Sequence, residues 1–380
     1  MSLSHTYYLN YKTRESPVLH DWLYDSVKQT QQNIDSLSDT QWHTPVLDIV
    51  NLPTWELGHL TWFHEFWVHR LGRASTPSCF QNADELFNSS LITHSDRWRA
   101  KIPPKEDLKR YFNRVMQLSF DLLQADKLSA EQKYFLELSI YHQDMHNEAF
   151  AYMCQTLQYP CPQNSSVIGY VAKDFSATGK YLNFPQQTLQ VGSQKDGFFI
   201  FDNEKWQFPL NIKAFSVSKL PVSNQEYLEY LQANLEVEKP KHWRRENNRW
   251  YLFEFHQWIE LPLDNPLIHV SFEEAQKYCE WRNERLPSEF EMLALLESDP
   301  AEWQASDLWE WTSSSFLPFE GFQPDPYLDY SQPWFGGSYR VLKGYSRFTP
   351  KRLRRPQFRN FYLPTRSDPF CGFRTCLKEI

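Results

Sequence analysis

Apolar and polar positions follow two different periods along this chain, and the change of period divides it into two parts. Between His20 and Leu37, apolar residues recur at steps of three, four and seven, the period of an amphipathic helix. Similar patterns predict three more helices, at residues 53–71, 105–125 and 130–157, with Pro53 a favoured first-turn residue. Four helices of this length are sufficient for a bundle.

After Tyr159 the pattern becomes one of short β-like runs separated by turns. The stretch PCPQNSSVIG (160–169) is the predicted linker. Strands are predicted at TLQVGS, FFIFD, KAFSVSK and RWYLFEF, and short helices at VSNQEYLEYLQ and SFEEAQKYCEWRNE. We therefore expect an α+β chain, with a four-helix bundle at residues 1–160 and a mixed, loop-rich α+β domain at residues 161–380.

Composition and charge narrow the function classes. The chain has 380 residues and a net charge of −8, which disfavours a nucleic-acid partner because phosphate contacts need a basic face. No run approaches the roughly eighteen apolar residues of a membrane helix, and residues 1–16 hold no apolar signal segment. We expect a cytoplasmic protein with no membrane partner and with free cysteine thiols. The aromatic fraction of 17% suits a small-molecule pocket.

The sharpest chemical signal is a pair of histidines on the fourth predicted helix. His142 and His146 are four residues apart, so both imidazoles project from one face and can reach a single divalent cation. The alternative is a helix that carries two histidines without a metal. The spacing resembles the HExxH motif of zinc proteases, but Gln143 stands where that motif needs a general-base Glu, so a metalloprotease is not expected.

A third ligand must come from elsewhere in the chain. His59 lies on the second predicted helix beside Gly58, which permits close approach of a neighbouring element. His64 is about 140° around that helix from His59 and is not expected at the same centre. Glu148 would complete a set of two histidines and one carboxylate, but it lies on a different face from His146, which favours a supporting or packing role.

Several spaced motifs resemble a known family. WELGHLTWF (55–63) and HQDMHNEAFAYMCQTLQYP (142–160) resemble the DinB-like domain of EgtB-like sulfoxide synthases of the ergothioneine pathway. The second half resembles the formylglycine-generating-enzyme (sulfatase-modifying factor) fold, a C-type-lectin-like domain. Its matching segments are residues 221–231, 266–292, 307–316, 339–348 and 358–377. The resemblance spans nearly the whole chain.

This resemblance implies a mononuclear non-haem Fe(II) enzyme that uses O2. It assigns the iron to His59, His142 and His146, and the substrate pocket to the second domain. Its members join sulfur to imidazole C2 of hercynine, which is Nα-trimethylhistidine, or to C5 of histidine in the ovothiol branch. Three neutral imidazoles leave coordination positions for a chalcogen donor and O2. Aromatic loops suit the trimethylammonium group of hercynine.

The chain departs from the best-known sulfoxide synthases at one catalytic motif. Their Tyr-x-x-Tyr, whose first Tyr donates a proton, corresponds to Phe316 through Phe319 here. Phenylalanine cannot donate a proton, so either another group does so or the chemistry differs. The candidate replacement hydroxyls are those of Tyr327, Tyr330 and Tyr362.

Two substrate-contact motifs differ as well. A Gln that touches the acceptor in those enzymes corresponds to Met145 here. Their Asn-Trp-Asp run corresponds to Asn360, Phe361 and Tyr362, of which Asn360 is a candidate donor to the hercynine carboxylate. Arg97 and Arg99 are candidate clamps for an anionic donor, with a solvated basic loop as the alternative.

The motifs HxDMHxEAF, FLPxxGFxPDPY, YSxPWFG and FRNFYxPxRxDxFxGFRTC are more similar to the selenoneine synthase branch (SenA), which joins hercynine to a selenosugar. A selenol is more acidic than a thiol, so at neutral pH it is already ionised to the selenolate. The reaction then depends less on a side chain that transfers protons, so Phe316 in place of Tyr is tolerable. We expect the selenosugar donor first and γ-glutamylcysteine or cysteine second.

Two other classes stay open. The same fold hosts copper-dependent formylglycine generation, which needs a reactive cysteine pair, and Cys371 and Cys376 are the only close pair. That alternative leaves the histidine helices unexplained. A non-catalytic small-molecule-binding module is the second alternative, and three intact histidines argue against it.

Overall fold

The computed structural model of the protein describes residues 12–162, 171–195 and 197–378. The chain divides into two compact units. Unit 1 is Met1–Asn164 with Lys195–Phe199, and unit 2 is Ser165–Gln194 with Ile200–Ile380. Most of the predicted linker, at residues 163–170, lies outside the described residues. The domain boundary at residues 160 and 161 therefore stays a prediction.

Unit 1 is helical, and the four predicted helices are confirmed. Its helices are α1 (Ser16–Asp35), α2 (Pro53–His64), α3 (Ala83–Phe87), α4 (Lys105–Gln124) and α5 (Ala130–Leu157). A π-helical turn, Glu65–His69, continues α2. In the described part of the chain, no helix is both long and apolar enough to cross a membrane. The cytoplasmic location stays a prediction.

Helices α2 and α5 form the interior of unit 1. All twelve residues of α2 are buried, and so is every residue of α5 from 134 to 144. A helix that is buried all round must satisfy its polar side chains within the protein, because water cannot reach them. The histidines of the sequence motifs lie on these two helices.

Unit 2 combines short helices with four small sheets. Its helices are α6 (Asn224–Ala233), α7 (Phe272–Trp281) and α8 (Glu289–Glu297). Its strands are β1 (Tyr181–Phe184), β2 (Gln187–Val191), β3 (Phe208–Ile212), β4 (Phe215–Ser218), β5 (Trp243–Glu246), β6 (Arg249–Glu254), β7 (Gln257–Glu260), β8 (Glu284–Arg285), β9 (Trp309–Ser315), β10 (Arg340–Gly344), β11 (Asn360–Tyr362), β12 (Cys371–Gly372) and β13 (Cys376–Leu377). The sheet orders are β1-β4-β13-β8, β11-β10-β9-β12, β2-β3 and β5-β6-β7. Only the β9–β12 pairing is parallel among the described strands.

The α+β class is confirmed, with one strand prediction wrong. Three predicted strands occur as β2, β4 and β6, and both predicted short helices occur as α6 and α7. The run FFIFD forms no strand, although Phe199, Ile200 and Phe201 are buried. An apolar run predicts burial, and strand pairing additionally needs a partner backbone that the run alone does not specify.

A buried ion pair holds the end of the chain in the core of unit 2. The Arg374 guanidinium donates to both carboxylate oxygens of Glu310 on β9, at 2.6 and 2.7 Å. It also donates to the backbone carbonyls of Ser218, Lys219 and Gln304. Arg374 is completely buried, and Trp309 and Trp311, which flank Glu310 on β9, are core residues.

Candidate metal centre

Three imidazoles from α2 and α5 converge inside unit 1. One ring nitrogen from each of His59, His142 and His146 lies within 4.8 Å of the others. The Nε2 atoms of His142 and His146 are 3.1 Å apart. Two nitrogens bound at about 2.1 Å to one cation lie roughly 3.0 to 3.4 Å apart for right-angle to tetrahedral geometry. The spacing of the pair on α5 therefore matches that of ligands to a common ion.

A backbone carbonyl orients His59. Its Nδ1 lies 2.7 Å from the carbonyl oxygen of Phe87, at the end of α3. Since a carbonyl oxygen only accepts, Nδ1 carries the proton and Nε2 presents its lone pair. The Trp55 ring stacks on a face of the His59 imidazole, with centroids 4.7 Å apart. A Cβ at Gly58 would lie 2.2 Å from the Phe87 ring, so this glycine permits the contact.

A buried carboxylate orients His146. The Nδ1 of His146 donates to Glu56, three residues before His59 on α2. This bond leaves Nε2 of His146 free to face the centre. Although burial alone raises the pKa of Glu56, the neighbouring His146, His59 and Arg97 hold it below its usual value. Glu56 is therefore an anion beside the centre, as in the carboxylate–histidine–metal arrangement.

Burial keeps His59 and His142 in the neutral form that binds metals. Desolvation, with His146 nearby, lowers the pKa of His59 to about 3. Desolvation, with His146 and His59 nearby, lowers the pKa of His142 well below its ordinary value. Neutral imidazole is the ligand form of histidine, and three nitrogen donors suit iron, zinc or copper. The residues present fit a bound divalent metal.

The three histidines differ in how deeply they are buried. The Phe63 ring stacks on His142 with centroids 3.6 Å apart, and His59 and His142 are at most 5% exposed. The His146 side chain is 19% exposed, and the neighbouring Met145 is half-buried. Of the three histidines, His146 is therefore the most exposed, and it adjoins Met145, for which the family resemblance implies an acceptor contact. That contact stays a prediction.

Among the described residues, the converging group includes neither His64 nor Glu148. The Nε2 of His64 instead contacts Ser119 Oγ at 2.8 Å, and that oxygen lies 2.9 Å from His69 Nε2. Among the described residues, the converging group contains no carboxylate, so Glu148 does not complete a two-histidine, one-carboxylate set. It is buried on α5.

Arg97 lies close to the centre, whereas Arg99 faces solvent. The Arg97 guanidinium lies 3.6 Å above the Trp55 ring and donates to the side-chain oxygen of Asn51. Because Trp55 stacks on His59, the cation, the indole and the imidazole form one column. The Arg99 side chain is 81% exposed and pairs with Asp96 at 3.6 Å. The structure thus distinguishes two arginines that the sequence did not.

Phe316 lies in an aromatic cluster inside unit 2. It is fully buried, stacks on Phe361 with centroids 3.9 Å apart, and packs against Phe335 at 4.8 Å. Tyr339 meets Phe361 edge-on. The ring of Phe316 therefore fills space among other rings, and its role in catalysis stays a prediction.

The other predicted residues of unit 2 adjoin this cluster. Asn360 and Tyr362 flank Phe361 on β11, and all three are half-buried. The side-chain oxygen of Asn360 accepts from its neighbour's amide at 2.8 Å, which leaves its NH2 group for another partner. The Arg359 guanidinium lies 4.2 Å above Phe319 and 5.1 Å from the Phe316 ring. The predicted residues thus lie together in this unit.

The cysteine pair does not form a reactive centre. Cys371 and Cys376 are both fully buried, free thiols on strands of different sheets. Burial raises the pKa of both thiols, which disfavours the thiolate that copper binding needs. The geometry gives the copper alternative no support.

Sequence reasoning missed the two groups that orient the imidazoles. Glu56 had a usable signal, because a residue three positions before His59 lies near the same helix face. Phe87 had no such signal, because its contact with His59 uses the backbone carbonyl, which every residue has. Only the tertiary structure brings α3 to α2.

Two family models match the chain. The sulfatase-modifying factor enzyme 1-like domain matches residues 182–295 and 304–379, half of the chain, and the DinB superfamily matches residues 23–148. The chain therefore belongs to the sulfatase-modifying factor enzyme 1-like family. Its arrangement is EgtB-like, with a DinB domain first.

Similar proteins extend over both units. Hercynine oxygenase of Mycolicibacterium smegmatis is 26% identical over an alignment that covers 88% of this chain and 93% of that protein. Ergothioneine biosynthesis protein 1 of Schizosaccharomyces pombe is 23% identical, over 91% of this chain and 54% of that protein. Among solved structures, PvdO from Pseudomonas aeruginosa covers 52% of this chain at 16% identity, with a TM-score of 0.36.

We predict that Glu56→Gln weakens Fe(II) binding about 10- to 100-fold, because the amide still accepts from His146 but loses the charge that makes this imidazole a stronger donor. Anaerobic titration against a chelator measures the affinity. Glu65→Gln is the matched control, since Glu65 is equally buried but contacts Ser78, Cys79 and Tyr111. Unchanged affinity in Glu56→Gln would show that the carboxylate has no part in metal binding.

Proposed function

We propose that this chain is a non-haem Fe(II), O2-dependent enzyme that joins a chalcogen donor to imidazole C2 of hercynine. The observation that carries the proposal is the convergence of one ring nitrogen from each of His59, His142 and His146. Iron bound there supplies a redox-active Lewis acid for O2 and the donor. The hercynine part rests on relatives named for hercynine oxygenation and ergothioneine biosynthesis.

The residues of unit 2 suit the hercynine cation and carboxylate. Phe361 and Tyr362 are half-buried residues of β11, and aromatic faces attract a trimethylammonium group. Phe316 covers one face of Phe361, and the Arg366 guanidinium lies 5.3 Å from the centre of the Tyr362 ring, so the opposite face of each ring is the one proposed for hercynine. The Asn360 NH2 group is a donor for the hercynine carboxylate. In unit 1, half-buried Met145 offers an apolar contact beside His146. These roles are ones of binding and orientation.

For the donor we propose a selenosugar, with a thiol as the second candidate. The fully buried Phe316 places no hydroxyl at the position that the resemblance assigns to proton donation. An already ionised selenolate has the smaller need for that proton, and Arg97 supplies a fixed positive charge for it. The names of the relatives favour the thiol alternative, γ-glutamylcysteine or cysteine. Tyr362 is the proposed substitute hydroxyl.

We expect the Fe(II)-loaded protein to form a hercynine–selenium adduct with a selenosugar, because a selenolate meets the site already ionised. Anaerobic loading, then air with hercynine and each donor separately, followed by mass spectrometry, measures this. His142→Ala should form none. A sulfur adduct alone would assign the thiol alternative, and no adduct despite bound iron would refute the enzyme proposal in favour of a binding module.

A second experiment tests the arginine. Arg97→Met should raise KM for the donor by about tenfold or more and leave KM for hercynine unchanged, because a charge-assisted contact contributes roughly 1.5 to 3 kcal/mol. Arg99→Met, two residues away and exposed, is the matched control and should leave both unchanged. Equal effects of the two substitutions would contradict the role of Arg97.

A third experiment tests the argument from Phe316. Phe316→Tyr should raise sulfur-adduct formation by about tenfold or more relative to selenium, because it restores a general acid. Phe319→Tyr adds the same hydroxyl at the second position of the motif and is the control. If the selenium-to-sulfur ratio is the same in wild type and Phe316→Tyr, the missing hydroxyl does not determine the donor.

A further inference from the structure

Helix α5 contains a second pair of polar residues with the same spacing as its histidines. Gln143 and Asn147 each follow one of them directly, so the amide pair lies about 100° around the helix from the imidazole pair. Both amides are buried, at 2% and 3% exposure. Neither takes part in the converging group described above.

These amides bind the side of α1 that faces them. The Gln143 side chain donates to Thr30 Oγ1 at 2.7 Å, and that hydroxyl donates to Asn147 Oδ1 at 2.9 Å. Asn147 also accepts from Asn33 at 3.1 Å and donates to the backbone carbonyl of Ser26 at 3.1 Å. Thr30 and Asn33 are at most 1% exposed. Four buried polar side chains thus form one network.

One residue of this network interrupts the apolar stripe that runs along α1 and just past its end. Leu23, Val27, Thr30, Ile34 and Leu37 follow one another at steps of four, three, four and three, so Thr30 occupies a position of the apolar stripe. A polar residue at such a position usually costs stability and selects one helix register over others. Apolar packing therefore does not explain why these polar residues lie in the interior.

Apolar burial gives no direction to the middle of α5. Residues 134 to 144 are all buried, so no solvent-facing side orients this part of the helix, whereas the turns after it keep one half-exposed side. Hydrogen bonds are directional, and a rotation that breaks them leaves buried amides without partners, at a cost of roughly 1 to 3 kcal/mol each. The network thus distinguishes rotations that apolar packing does not.

We propose that Thr30, Asn33, Gln143 and Asn147 are positioning residues for the metal centre, which fix the rotation of α5 so that His142 and His146 face His59. The inference rests on the proposed metal site. These four residues touch no substrate and no reacting atom in this role. They act through the helix that carries two of the three ligands.

Replacing three of the four network residues by apolar ones, with unfolding measured alongside metal binding, separates this role from stability. In Thr30→Val/Gln143→Leu/Asn147→Leu, we expect a folded chain with Co(II) affinity about tenfold or more weaker and an altered Co(II) d–d spectrum, since the imidazoles lose their fixed direction. Unfolding of the metal-free chain is measured in parallel. Thr156→Val is the matched control, because its hydroxyl bonds within α5, to the Tyr152 carbonyl at 2.8 Å, and its Co(II) affinity should equal that of wild type.

Each outcome decides the matter. A folded triple variant with wild-type affinity and spectrum would overturn the positioning role. If the triple variant does not fold, Thr30→Val alone is measured, and Thr30→Ser, which keeps the hydroxyl, should restore the wild-type spectrum. Failure of the folded wild-type chain to bind either Co(II) or Fe(II) would instead refute the proposed metal site, and with it this inference.

Discussion

Three imidazoles can present lone pairs to one point only if each is neutral and carries any proton on the nitrogen that points away. In this protein the Phe87 carbonyl meets that requirement for His59, and the Glu56 carboxylate meets it for His146. Burial adds the second condition, because it lowers the pKa of His59 and of His142 and keeps both imidazoles uncharged. The architecture of unit 1 follows from this constraint, with α2 and α5 in the interior and α3 held against α2.

Charged side chains of both signs lie around the centre. Glu56 brings one buried negative charge beside His146, and Arg97 brings one positive charge at the far side of Trp55. A divalent cation with three neutral ligands keeps its full positive charge, so an anionic donor is attracted both to the ion and to the arginine. The same charges disfavour a cationic group there, which is consistent with assigning the trimethylammonium of hercynine to aromatic faces.

Unit 2 depends on a different kind of support. Arg374 and Arg359 are buried guanidiniums, each paired with a buried carboxylate and with backbone carbonyls. Breaking such a pair by removing one partner is far more costly than replacing both, because a charge is left uncompensated. Arg359 also donates to the Leu317 carbonyl, so the ion pair with Glu289 fixes the loop that follows Phe316. This unit holds its loops by buried charge rather than by long strands.

The sequence by itself determined four helices of unit 1, three of the strands of unit 2 and the histidine pair of α5, and the family resemblance added His59 to that pair. Helical periodicity and the four-residue spacing of His142 and His146 depend only on residues that are close in sequence. They can therefore be recognised without knowing the tertiary structure. The sequence did not determine that FFIFD is buried without pairing, that Arg97 rather than Arg99 lies by the centre, or that Phe87 orients His59. Those outcomes depend on which segments meet in space. Hydrogen-bond direction, burial and ring stacking exist only between groups that the tertiary structure has already brought together.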